Sequence, residues 1–479
     1  MKPQLLKAQK TRLIALVVAL AMTLGLTATV HAAAWPGNRG DQGAKQAKTG
    51  AKSSKRVTAA RQQRVGTTQP SVTVSGQATG AAVGGAASAV TTPGTSPTTS
   101  TKSGVTTTAS GTKVPTAPTT VTTRGPVVTP PPTTKPPTPV AGPSSFLVGW
   151  THTQVSADPW HSPAAIASAE GVLRATAPIQ NQHIYGWGAM SPQPSPGQYD
   201  WGWLDARINL IRRTGAIPVI TLCCAPDWMK GAAPGTTDWA RLDVAPNRDQ
   251  FDNFAKLSAQ VAARYPDVKY FQVWNELKGF YNNALNRWDY EGYTELYNKV
   301  YDAVKAVRPD AQLGGPYVVV DTYPSASGQS HASAVSGPWG VYDQRPLDVI
   351  EYWLAHKHGA EFLIVDGGIG HRGGTSPADA NVALGKFGPL HNWIKQRTNL
   401  PIWWGEFYPV PNASWSETAQ ADFAMRSVQE LKATGAAVAL LWQPDTEGGA
   451  CLGCLWYDIK TQGARPSLFA DRLKIWLGR

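Results

Sequence analysis

From Ser144 to the C-terminus, short apolar runs rich in Val, Ile, Leu and Trp alternate with longer stretches in which apolar residues recur at steps of three and four. The runs read as strands and the longer stretches as amphipathic helices. Strands are expected at Phe146 to Trp150, His183 to Trp187, Ile217 to Cys223, Tyr270 to Asn275, Gln312 to Pro316, Phe362 to Asp366, Pro401 to Gly405 and Ala437 to Trp442. Phe251, Phe254, Leu257, Val261 and Tyr265 share one helix face, as do Tyr290, Tyr293, Tyr297, Val300, Tyr301 and Val304. Asn247 with Gln250 suggests a cap before the first of these helices, Arg308 and Pro309 end the second, and Gly435 stops the helix before the last strand. Strand and helix in alternation imply a parallel sheet. Eight such units point to an α/β fold, a (β/α)8 TIM barrel over residues 144–479 with generous loops. A doubly wound open sheet is the alternative, but the Gly-x-Gly-x-x-Gly turn it often carries is absent after the first strand.

The chain before Ser144 has another texture. Lys2, Lys7, Lys10 and Arg12 precede an apolar run from Leu13 to Leu26, and Val30, His31 and Ala32 offer an A-x-A-like cleavage point. Residues 1–32 read as a secretory signal peptide, with an uncleaved anchor as the alternative. Residues 33–143 are rich in Thr, Pro, Ser, Gly and Ala, with no aromatic between Trp35 and Phe146. Such a segment cannot bury enough apolar area to offset the entropy of ordering it, so a disordered linker is expected. Its end, residues 101–143, holds 14 Thr and 10 Pro, a composition that favours an extended stalk.

The formal charge of +12 belongs to this segment. Residues 1–143 hold 16 Lys+Arg against Asp41 alone, and the remainder has 28 basic against 31 acidic residues, a balance of −3. Nucleic-acid recognition needs a basic folded face with interleaved aromatics, so the charge does not point to nucleic acid. The basic residues from Lys45 to Arg64 suit contact with acidic cell-envelope polymers, or are simply solvated linker charge.

In a barrel of this kind, chemistry sits at the C-terminal ends of the strands. Of ten Glu residues only Glu276 and Glu406 end expected strands, the fourth and the seventh. Two carboxyls across a barrel mouth suit glycoside hydrolysis: one protonates the leaving oxygen while the other captures the oxocarbenium-like centre. The charge of one disfavours ionisation of the other, which separates acid from nucleophile. A separation of about 5 to 5.5 Å implies retention of anomeric configuration, and about 6.5 to 9.5 Å implies inversion. A structural ion pair at a loop start is the plain alternative.

Val273, Trp274, Asn275 and Glu276 on strand four, with Trp403, Trp404, Gly405 and Glu406 on strand seven, resemble the signatures of clan A retaining glycoside hydrolases. Trp442 at the end of strand eight and Leu313, Gly314, Gly315 and Pro316 at strand five strengthen the likeness. Pro192 to Leu204, Ile217 to Leu222 and Pro226 to Met229 are similar to glycoside hydrolase family 39, with family 5 as the alternative. The resemblance covers roughly residues 145 to 479. It implies Glu276 as general acid/base, Glu406 as nucleophile, Asn275 as partner of the sugar 2-hydroxyl and Trp442 as stacking platform. Two features depart from the pattern: strand two has no Arg at its end, and strand six ends in Asp366 where a Tyr is often found.

Asp366, the third strand-end carboxylate, is a candidate for orienting a substrate hydroxyl or tuning Glu406, or else a loop cap. Flat indoles suit the apolar faces of sugar rings, and Trp187, Trp228, Trp404 and Trp442 lie at or just after strand ends. Trp201, Trp203, Trp353, Trp393 and Trp476 fall in helical patterns and read as packing. His152 lacks a second His two residues away, so no barrel metal site is expected, and the chemistry needs no cofactor. Four cysteines in an exported chain allow disulfides: a bridge between Cys451 and Cys454 in the last loop, or a loop-to-loop bridge involving Cys223 and Cys224, with a four-cysteine zinc site as a further alternative. The expected function is a secreted β-glycoside hydrolase acting on a polysaccharide or oligosaccharide. The rival is a non-catalytic carbohydrate-binding or adhesion barrel, to which the absent strand-two Arg points.

Overall fold

The computed structural model describes residues 146–479 apart from 153–155, 184–191, 239–240, 373–374, 376–378, 411, 413 and 447–450. The expected leader, the linker and Trp187 lie outside the described residues. Eight parallel strands close into a barrel in chain order: β1 Leu147–His152, β2 Ile179–Gln182, β3 Ile217–Leu222, β4 Tyr270–Val273, β5 Gln312–Val319, β6 Phe362–Gly368, β7 Ile402–Tyr408 and β8 Val438–Trp442, with β8 pairing back to β1. Seven of the eight overlap the expected runs.

The second strand lies earlier than the His183 to Trp187 expectation. Ile179–Gln182 reads polar because three of its four side chains are amides, yet all four residues are buried. Gln180 binds His152 and Thr214, while Asn181 donates to Thr151 and accepts from Thr221. Buried amides paired in this way cost little, and they erase the apolar signal.

Helices cover the barrel. Ser162 caps Pro163–Thr176 by accepting from Ala165 N–H. Gly435 stops Glu417–Thr434 in the left-handed conformation (φ 93°), which glycine adopts without a Cβ clash. At the third helix the expected cap differs. Asn247 precedes a 3-10 turn, Arg248–Gln250, and makes no capping bond, before the α-helix Phe251–Arg264 begins.

Two apolar layers result. The larger lies between strands and helices, and Trp353 is buried in it. The smaller comprises Ile179, Val219, Tyr317, Phe362, Ile364, Trp403, Val438 and Leu440, from six strands, and fills the barrel interior beneath the mouth. Both cysteine pairs form disulfides, Cys223–Cys224 and Cys451–Cys454. The last-loop bridge matches one expectation, and the self-pairing of Cys223 and Cys224 replaces the loop-to-loop and zinc alternatives.

Candidate active site

The β7 ladder positions Glu406 through a bulge. Trp404 and Phe407 pair with Ala439 and Leu441 on β8, so β7 carries one extra residue between them, and the register to β6 shifts at the same point. Trp404 and Phe407 therefore both face outward, packing on Phe387. The bulge turns Glu406 into the barrel mouth, where it is 2% exposed. A second bulge on β5 sits at Tyr317, whose backbone is left-handed (φ 55°).

Glu406 is surrounded by donors. Tyr317 O–H donates to Oε1 at 2.8 Å and Tyr408 O–H donates to Oε2 at 2.9 Å. The Asn275 amide, oriented with its nitrogen toward the mouth, donates to Oε1 at 2.9 Å and accepts from Lys278 Nζ at 3.1 Å. His183 Nδ1 lies 3.2 Å from Oε1 without hydrogen-bond alignment. Burial, then the proximity of Lys278, holds this imidazole well below its usual range, so it is neutral. His183 thus stands beside Glu406 at the position left without an arginine.

Glu276 is held differently. The β4 ladder ends at Val273, and Trp274, Glu276 and Leu277 follow with φ of 68°, 48° and 49°. Left-handed backbone at non-glycine residues costs about 1–3 kcal/mol each and persists only where packing dictates it. Here Trp274 is fully buried against Phe254 and Phe280, and its indole N–H donates to Lys278 O at 2.8 Å. The turn brings Lys278 Nζ to 2.6 Å from Glu276 Oε2, and Glu276 keeps 13% of its side chain exposed.

Glu276, Glu406 and Asp366 each present one oxygen within 4.8 Å of the others. Burial, reinforced by the Glu276 charge, pushes Glu406 up to about 8, against the pull of Lys278 and the two tyrosines. Burial would lower Lys278, yet the charges of Glu276 and Glu406 raise it above its ordinary range.

Trp442 stands at the rim, its ring 4.9 Å from His183 and 6.3 Å from Tyr408. Glu276, Glu406, Asn275, Asp366 and Trp442 are thus brought together. Trp404 and Trp228 are not on the wall, and Asp366 is closed off from solvent. Trp404 is fully buried on the outside of the barrel, with its N–H on His391 Nε2 at 3.0 Å. Asp366 is at the right strand end, paired in register with Glu406, but both its oxygens are shielded from solvent. Trp228 packs against the core in the loop after β3, its N–H donating to Gln193 O at 3.0 Å. His152 is spent on Gln180 at 2.9 Å.

Lys278, Tyr317, Tyr408 and the role of His183 were not read from the sequence. Lys278 carried a signal, two residues beyond a strand-end Glu. Tyr317 carried none, since only the bulge turns it inward.

No curated protein matches the chain. Solved structures that the chain matches include a family 39 glycoside hydrolase from the gut symbiont Bacteroides cellulosilyticus WH2, 14% identical over 68% of this chain and 62% of that one, with a TM-score of 0.47. The chain thus spans less than two thirds of that relative's length. A monomeric β-xylosidase from Caulobacter crescentus CB15 is 19% identical over 70% of this chain and 69% of that one, with a TM-score of 0.46. Residues 193–360 match the family model of Glycosyl hydrolases family 39. That stretch runs from the loop after β2 through Glu276 to the approach to β6, and through it the chain is similar to family 39 of the clan A glycoside hydrolases.

Proposed function

We propose that the protein is a retaining β-glycoside hydrolase acting on a polysaccharide or oligosaccharide by double displacement. The observation that carries this reading is the approach of Glu276 and Glu406 oxygens to within 4.8 Å, the short separation that suits a direct nucleophile. In the first step a Glu406 oxygen attacks the anomeric carbon, the glycosidic C–O bond breaks, and Glu276 gives its proton to the leaving oxygen. In the second, Glu276 takes a proton from water, the oxygen of that water adds to the anomeric carbon, and the ester to Glu406 breaks. Asn275, already on Glu406, meets the sugar 2-hydroxyl, and Trp442 offers a face to the ring. No step requires a cofactor. The non-catalytic alternative rested on the missing strand-two arginine, and the neutral His183 beside Glu406 weakens it.

By the same proposal the chain is exported on its N-terminal signal, and the Thr/Pro-rich linker holds the barrel away from its point of attachment. The basic stalk touches acidic envelope polymers. The test is sugar release by the full chain from a panel of β-linked polysaccharides and aryl β-glycosides, beside Glu406→Ala. Release by the wild type and its loss in the variant supports the reading; binding with no release by either protein supports the carbohydrate-binding alternative.

A further inference from the structure

Asp366 is a buried carboxyl that the two-glutamate chemistry does not use. It is 0% exposed at the end of β6, and neither oxygen accepts a hydrogen bond from an N–H or hydroxyl donor among the described residues. The groups facing it are Glu276 and Lys278 beyond β4, Tyr317 on β5, and Glu406 and Tyr408 on β7. Lys278 is engaged by Glu276 and Asn275, and both tyrosines donate to Glu406. What Asp366 has within reach is the carboxyl of Glu276, another acceptor. Two carboxyls form a hydrogen bond only when one of them carries a proton.

Counting charge decides which one does. Among the described residues, three carboxyls share the compartment with one ammonium, Lys278, and a neutral His183. Neutrality requires two protons among the three carboxyls. Glu406 has three donors and Glu276 has Lys278, whereas Asp366 has none. A buried carboxyl that accepts no hydrogen bond and faces two other carboxyls takes up a proton, even with one ammonium nearby. Burial and the charges of Glu406 and Glu276 accordingly push Asp366 well above the usual carboxylate range.

We propose that Asp366 is a positioning residue that acts as a neutral carboxylic acid beside the pair, donating its O–H to Glu276 and so setting the pH range over which Glu276 gives and takes its proton. The inference rests on the glycosidase reading. Asp366 keeps its own proton throughout: as Glu276 protonates the leaving oxygen, the hydrogen bond from Asp366 strengthens on the carboxylate left behind, and it relaxes when Glu276 takes the proton of water.

The test is the pH dependence of kcat/KM on an aryl β-glycoside for the wild type, Asp366→Asn and Asp366→Leu. The amide keeps a neutral donor, so Asp366→Asn should hold the alkaline limb within a few tenths of a pH unit. Leu removes the donor, destabilises ionised Glu276, and should move that limb up by about one unit with about a tenfold loss of kcat/KM, which Asn restores. An ionised Asp366 predicts the opposite sign, since either substitution would delete a negative charge and move the limb down. That result, or no movement in either variant, overturns the inference. Should the Leu variant fail to fold, the Asn limb still decides between a neutral and an ionised Asp366. Infrared difference spectra of wild type against Asp366→Asn at neutral pH provide a readout independent of turnover: loss of a protonated carboxyl C=O band is expected, and loss of a carboxylate band contradicts the proposal. If the wild type releases no sugar from any substrate, the glycosidase reading fails, and the infrared band still reports where the proton sits.

Discussion

The ends of β4 and β7 each present a glutamate to the same space, and the protein treats them in opposite ways. At β7 the ladder runs on to Tyr408, a bulge aims Glu406 inward, and Tyr317, Tyr408 and Asn275 fix both carboxylate oxygens. At β4 the ladder stops three residues earlier, the backbone passes through left-handed conformations, and Glu276 faces Lys278 at a partly open edge. The first environment suits a group that must stay in line with a carbon atom and carry charge. The second suits one that must exchange a proton with the leaving group and then with water. Residue type is the same at both sites, so the division of labour comes from the backbone that delivers each side chain.

The largest break in this comparison is between the two deletions. Glu406→Ala should abolish turnover, by about 10⁴-fold or more, on every substrate. Glu276→Gln should lose about 10²–10⁴-fold on substrates with poor leaving groups and far less on aryl glycosides whose leaving group needs no proton. Equal losses across leaving groups, measured as kcat/KM, would erase the assigned difference.

Tyr317→Phe removes a donor from Glu406 alone. It should lower kcat/KM by about tenfold and move the acid limb up, because the ionised carboxylate loses a hydrogen bond. Lys278→Met acts on both glutamates through charge. Lys278 favours the ionised form of each, so its loss should move both limbs of the pH profile up by about one unit, a shift that high salt should reduce little in so buried a site.

The smallest effect needs no substrate. A carboxyl raised in the folded state, as Glu406 is to about 8, contributes stability that is full below its unfolded value near 4.5 and is lost as pH rises toward 8. The Tm of the wild type should therefore fall relative to Glu406→Gln between pH 4.5 and 8. A constant difference across that window would mean that burial does not raise the Glu406 carboxyl.

The barrel was legible because most of its strands are short apolar runs, and Glu276 and Glu406 stood out as the two glutamates ending such runs. What escaped were features that apolar patterning does not encode. Ile179–Gln182 is a strand whose polar residues are satisfied by Thr151, Thr214, Thr221 and His152, so its pattern reads as a turn. Trp404 was assigned to the cleft by its place at a strand end, but it lies before the bulge and faces outward, and only the extra residue after it turns Glu406 inward. Tyr317 is unremarkable in sequence and is turned inward by the same kind of bulge. Asp366 was placed at the correct strand end, but the burial of both its oxygens depends on how β6 packs between β5 and β7.

The most direct test of the account is the anomeric configuration of the first product released from a β-glycoside, followed by proton NMR before mutarotation. Attack by Glu406 and then by water inverts the centre twice, so the β-anomer is predicted. An α-anomer appearing first would mean a single displacement by water, and would contradict the assignment of Glu406 as nucleophile.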